Sequence, residues 1–190
     1  MNWNPAEFHD NYSRMPIDEA ERQVWDGLTP GQRKVYGEWR TMNKFAEVCG
    51  LGIDPKTVES RNPPEPDCLC EISAKKHYFE LGEVTDQDLA QQAGIAAKNK
   101  QENFSGPYSQ LEPLMRIFTQ KCAKSYLANG LPVHLLLHYA VGHHVPHAVL
   151  VQGEIGKRKT DIVSQLRQSA FRSVWIYDAW DNRVITHVQQ

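Results

Sequence analysis

The chain has 190 residues, with 21 Lys and Arg against 23 Asp and Glu, a net charge of −2 and a hydrophobic share of 41%. This size accommodates one domain with its own core, and no apolar run approaches the roughly 20 residues of a bilayer-crossing helix. The near-neutral balance excludes a global attraction to polyanions, so any such site must be local.

The N-terminal stretch MNWNPAEFHDNYSR has no basic start followed by an apolar core. No secretory signal is expected, and the expected location is cytoplasmic. Cys49, Cys68, Cys70 and Cys122 form neither a disulfide framework nor a CxxC pair, so they are expected reduced. Cys68 and Cys70, two apart on a strand, share one face as small core residues.

Residues 1–28 read as an N-terminal arm with a short helix over 17–28, followed by a single domain over 29–190. Thr29-Pro30-Gly31-Gln32 is a helix start: threonine caps, proline fits the first helical position and glutamine sits three residues on. The helix runs to Cys49 and stops at Gly50, with Val35, Trp39, Met42, Ala46 and Cys49 on the face expected to pack. The proline-rich segment 51–66 reads as a loop. Residues 67–73 and 77–85 then read as antiparallel strands about a turn at Ala74-Lys75-Lys76.

A helix is predicted over 86–100, then a loop at Gly106-Pro107, then a helix over 111–129 with Leu114, Ile117, Phe118, Cys122 and Tyr126 in one stripe. Val133–Tyr139 is a short apolar run of the kind buried on both faces of a sheet. A helix over 160–170 and strands over 173–177 and 183–188, flanking Trp180-Asp181-Asn182, complete the chain. Helices alternating with strands define an α/β fold around a mixed sheet.

The sequence PDCLCEISAKKHYFELGEV sets Glu80 inside a strand-like run, where a carboxylate costs several kcal/mol unless paired or bound to metal. Asp67 opens the neighbouring strand. The two acids can meet at the end of the sheet and share a hard cation through oxygen ligands.

Pro66-Asp67 followed by Glu80-Leu81-Gly82 resembles the PD-(D/E)xK nuclease superfamily, as does the order helix, hairpin, helix, apolar strand, helix, strand over about residues 30–180. The resemblance implies a restriction-endonuclease-like core and metal-assisted hydrolysis of phosphodiester bonds in DNA. It implies Mg²⁺, or Mn²⁺, on Asp67, Glu80 and the Leu81 carbonyl, and a homodimer if the substrate is duplex. Glu38, at the border of the packed face of the first long helix, is the candidate for a further metal-binding acid. Gly82 stands where most active members carry lysine. Two replacements are open: Glu83, turned inward by a bulge at the glycine, or a lysine from the following helix, Lys121 or Lys124. The alternative is a domain of the same fold that binds without catalysing.

Lys157-Arg158-Lys159 is a compact basic run suited to nucleic-acid phosphates. His134, His138, His143, His144 and His147 are dense enough to raise zinc, but residues four apart on a strand lie too far apart to share one ion.

Overall fold

The computed structural model describes residues 19–85, 95, 99, 111–139 and 148–190. The arm before residue 19, most of the helix expected over 86–100, the Gly106-Pro107 loop and His143, His144 and His147 lie outside the described residues. The described helices are α1 (Glu19–Asp26), α2 (Pro30–Val48), α3 (Glu112–Cys122), α4 (Ala148–Lys157) and α5 (Lys159–Arg167). The strands are β1 (Glu59–Ser60), β2 (Cys68–Ile72), β3 (Lys75–Glu83), β4 (Val133–Tyr139), β5 (Phe171–Asp178) and β6 (Arg183–Gln189).

The helix start at Thr29 forms as the sequence dictates. The Gln32 N–H donates to Thr29 Oγ1, and the Thr29 N–H donates to Gln32 Oε1 at 2.9 Å, which satisfies two otherwise orphaned donors. The buried face of α2 differs from the expected stripe. Met42 and Phe45 are buried with Arg40 and Thr41, whereas Val35 and Trp39 are 51% and 42% exposed. α1 packs along the first half of α2 on its Arg33, Tyr36 and Arg40 side. Glu21 holds the Arg40 guanidinium at 2.8 Å, and Tyr36 sits between the rings of Trp25 and Trp39. Only the second half of α2 reaches the sheet, where Phe45 meets Phe79, Trp175 and Tyr177 edge-on at 5.5–5.9 Å.

The molecule is mixed α/β, with a six-stranded sheet in the order β1-β2-β3-β4-β5-β6. β3, β4 and β5 run parallel, and β1–β2, β2–β3 and β5–β6 pair antiparallel. Helix α2 covers one face over Phe79, Leu136, Trp175 and Tyr177. Helices α3, α4 and α5 cover the other over Leu135, Leu137, Val174 and Ile176. β4 is therefore buried on both sides, as its continuous apolar run predicts.

The β2–β3 turn is shorter than the sequence suggests. Ile72 pairs with Lys75, so only Ser73 and Ala74 turn, both with left-handed φ of 51° and 61°. Such a two-residue turn matches the twist of the flanking strands. The helix expected over 111–129 ends at Cys122, because the following segment is drawn onto the body: the Leu127 N–H donates to the Pro64 carbonyl, and the Tyr126 ring lies 5.4 Å from that of Phe171. No described helix is long and apolar enough to cross a membrane.

Candidate active site at the end of the β2–β3 hairpin

β2 ends where β3 continues, and that mismatch builds a polar fork. Cys68 is opposite Phe79, which places Asp67 opposite Glu80 one step beyond the last paired residue of β2. The Leu81 N–H therefore has no strand partner on that edge. It donates instead to Asp67 Oδ2 at 2.9 Å, while the Asp67 N–H donates to Glu80 Oε2 at 3.3 Å. The Leu81 carbonyl points to the same edge as its N–H, because both groups of one strand residue do.

Strand alternation sends Glu80 and Gly82 to the α3 side, among the core that contains Tyr78 and Val84. The Glu80 side chain is 6% exposed, and Lys121 from the last turn of α3 meets it with Nζ 2.6 Å from Oε1. The same ammonium lies 3.9 Å from Asp67 Oδ2. One lysine is thus shared by two carboxylates. Burial is the largest influence on Glu80 and raises its carboxyl above the ordinary range. The Asp67 charge adds to this, and the hydrogen bonds from Lys121 and Tyr126 only partly oppose it.

Gly82, next to the lysine, is tightly enclosed. A Cβ at this position would lie 2.7 Å from Leu137 Cδ2, 3.2 Å from Ile117 Cγ2 and 3.7 Å from Lys121 Cε. Leu137 and Ile117 close the space that a side chain at 82 would enter, and the Lys121 stem lies in ordinary contact beside it. Gly82→Ala is expected to destabilise the fold by about 1–3 kcal/mol through overpacking, read as a lower urea midpoint.

The other expected residues are placed differently. β3 keeps an unbroken register through Gly82 and Glu83 against β4, so the bulge that would turn Glu83 inward is not formed. Glu83 is exposed and lies on the α2 side of the strand, opposite to Glu80. Lys124 is exposed beyond the end of α3. Glu38 accepts a hydrogen bond from the Ser60 hydroxyl and pairs with Lys34 at 3.3 Å on the α2 side. It is not brought into a metal-binding group with Asp67 and Glu80. Among the described residues no cluster of three or more His, Cys, Asp or Glu residues could hold a metal ion.

Tyr126 belongs to the site and was legible only as a member of a helical stripe. Its phenol is pushed up, first by burial and then by the charge and hydrogen bond of Glu80. Cys68, behind the fork, has its thiol raised by burial and then by Glu38, Asp67 and Glu80, so it rests as an inert thiol.

His134 and His138 do not converge. His134 contacts His77 and Ser173, whereas the buried Nδ1 of His138 has no partner among the described residues. Lys157, Arg158 and Lys159 are exposed at the α4–α5 junction, on the helix-covered face shared with the acids. Glu154 partly neutralises the run, at 2.6 Å from Lys157 and 3.9 Å from Arg158.

The donor set fits a hard divalent cation in kind. Mg²⁺ is commonly bound by one or two carboxylates, with waters and substrate phosphate completing its shell. Asp67, Glu80 and the Leu81 carbonyl supply such oxygens at one edge. No protein-family model matches the chain, and no curated protein or solved structure matches it either.

Proposed function

We propose that the chain is a metal-dependent phosphodiester hydrolase acting on DNA, built on a restriction-endonuclease-like core. The observation that carries this reading is the position of Lys121. The resemblance to PD-(D/E)xK nucleases calls for a lysine beside the acids, Gly82 lacks one, and Lys121 from α3 lies beside them, 2.6 Å from Glu80 and 3.9 Å from Asp67.

Asp67 and Glu80 would hold Mg²⁺ or Mn²⁺ with the Leu81 carbonyl. When bound, the cation lowers the pKa of a coordinated water and stabilises charge on the phosphate. Asp67 also fixes the Leu81 backbone by accepting its N–H, which sets the carbonyl's direction. Lys121 places positive charge where the phosphate's developing negative charge would be met. Tyr126 restrains Glu80. Lys157, Arg158 and Lys159 supply phosphate contacts on the same face of the sheet. A cytoplasmic homodimer goes with this reading, since cutting both strands calls for two sites.

The second reading is a domain of similar architecture without catalysis. The 2.6 Å contact between Lys121 and Glu80 favours it, because a satisfied buried ion pair needs no cation. Incubation with supercoiled plasmid and Mg²⁺ or Mn²⁺ separates the two. Nicking that is lost in Asp67→Ala and Glu80→Ala is expected. No cleavage by the folded protein with either metal would leave only the second reading.

A further inference from the structure

On the α2 face, away from the acids, three strands carry a continuous polar chain. His77 Nδ1 lies 3.1 Å from His134 Nε2, and His134 Nδ1 lies 2.8 Å from Ser173 Oγ. Ser173 is 1% exposed and also accepts a hydrogen bond from Trp175 Nε1 at 3.1 Å. Burying hydroxyl and imidazole groups costs free energy that an apolar pair would not, and the hydrogen bonds only offset it. The result is a half-buried imidazole, His77, whose ring is held by His134, which is held in turn by the buried Ser173.

The charge around His77 is one-sided. Lys75 on β3 and Arg172 on β5 are both exposed, and both act on His77. Neither has an acidic partner within salt-bridge distance among the described residues. Arg172 is also the extra residue of a β-bulge, since Val133 pairs with Phe171 and the next residue, His134, pairs with Ser173. Bulges re-aim side chains, and this one sits beside the relay. Among the described residues the ring contacts of the relay add no negative charge: Phe79 packs on His134, Phe45 of α2 packs on Trp175, and His187 of β6 stacks on Trp175, while the Gln190 N–H donates to the Arg172 carbonyl.

We propose that Lys75, His77 and Arg172 form a binding site for a phosphate-type oxyanion, with His134 and Ser173 as the positioning residues that fix the His77 ring. The site is independent of the Asp67–Glu80 fork. It lies on the opposite face of the sheet, and His77 precedes Glu80 by three residues, roughly 10 Å along the strand. An anion would supply the counter-charge that this cluster lacks. It would also favour protonated His77, which burial, Arg172 and Lys75 now disfavour.

The test is an NMR titration of the histidine ring signals in the full chain at pH 6.5. Inorganic phosphate or dimethyl phosphate is added, with sodium chloride at matched ionic strength as the control. Expected are a saturable shift of the His77 signals, an upward move of its titration midpoint, and affinity at least tenfold weaker in Arg172→Gln and Lys75→Gln. Binding of dimethyl phosphate as well as inorganic phosphate assigns the site to diesters; inorganic phosphate alone assigns it to free phosphate or monoesters. The proposal is overturned if chloride reproduces the shift, if His77 does not respond to either phosphate, or if both variants bind as the parent does. Glu80→Gln, which disables the proposed hydrolase, should bind the anion unchanged, so failure of one claim is distinguishable from failure of the other.

Discussion

Lys121→Met is expected to cost the fold about 3 kcal/mol at neutral pH and to abolish plasmid cleavage. The stability loss arises because Lys121 is the cation 2.6 Å from Glu80, whose side chain is 6% exposed; removing one partner of a buried pair strands the other. Methionine keeps most of the aliphatic volume that threads past Gly82, so loss of packing contributes little. Glu80 can escape by taking up a proton. Its carboxyl is already raised by burial, and without Lys121 it rises further, so the variant's deficit should shrink as pH falls and the acid becomes neutral. Pairing Lys121→Met with Glu80→Gln should recover most of the stability but none of the activity. A deficit equal at pH 5 and pH 8 would contradict the assignment.

Two buried histidines are expected to destabilise the native protein as pH falls below about 6.5. His138 is held down to about 4 by burial and then by Lys121, and His134 to about 4 by burial, His77 and Arg172. An unfolded histidine titrates near 6.5, so on acidification the unfolded chain takes up these protons first. Native stability is full above about 6.5 and is lost progressively as pH falls toward 4. From pH 7.5 to pH 5 the loss is about 2 kcal/mol for each histidine. Carboxyls work the other way, since a raised carboxyl favours the native state as pH falls: Glu80 is raised and Glu83 is raised to about 7, both by desolvation, and they offset part of the histidine loss. Urea midpoints at the two pH values measure the sum. His138→Leu should remove the His138 share, about 2 kcal/mol between the two pH values, and also delete the Nδ1 that has no partner among the described residues. The same pH dependence in His138→Leu as in the parent would show that His138 is not buried neutral.

The hairpin and its acids were readable because alternation is a local property, yet their register hinged on one turn. A turn over residues 74–76 would set Asp67 opposite Glu83, whereas the two-residue turn at Ser73-Ala74 sets it opposite Glu80. Nothing in Ser-Ala marks a left-handed pair, since both residues merely tolerate that conformation. α2 was legible through its capping residues but not through its buried face, because only its second half reaches the sheet while α1 packs on the Arg33, Tyr36 and Arg40 side of its first half. The end of α3 and the arrival of Tyr126 were hidden for a similar reason: Lys-Ser-Tyr-Leu-Ala-Asn contains no helix breaker, and contacts with Pro64 and Phe171 end the helix from outside. α4 escaped notice because AVLVQGEIGK carries two glycines and little amphipathic contrast.

Lys121 shows where sequence reasoning stops. It lies 41 residues from Glu80, and only the packing of α3 on β3 distinguishes it from Lys124. Gly82 looked like a vacancy in the strand and is instead closed over by Leu137 and Ile117, with the Lys121 stem packed beside it. The fork therefore depends on a small residue at one position and a long cation at another, and neither is informative alone.

The account rests on Asp67 and Glu80 accepting a divalent cation where the lysine now lies. Mn²⁺ added to the purified chain and followed by its electron paramagnetic resonance signal measures this directly. One saturable site per chain, with binding at least tenfold weaker in Asp67→Asn and Glu80→Gln, is the predicted result. Mn²⁺ that remains free, or binds equally well to both variants, would contradict it.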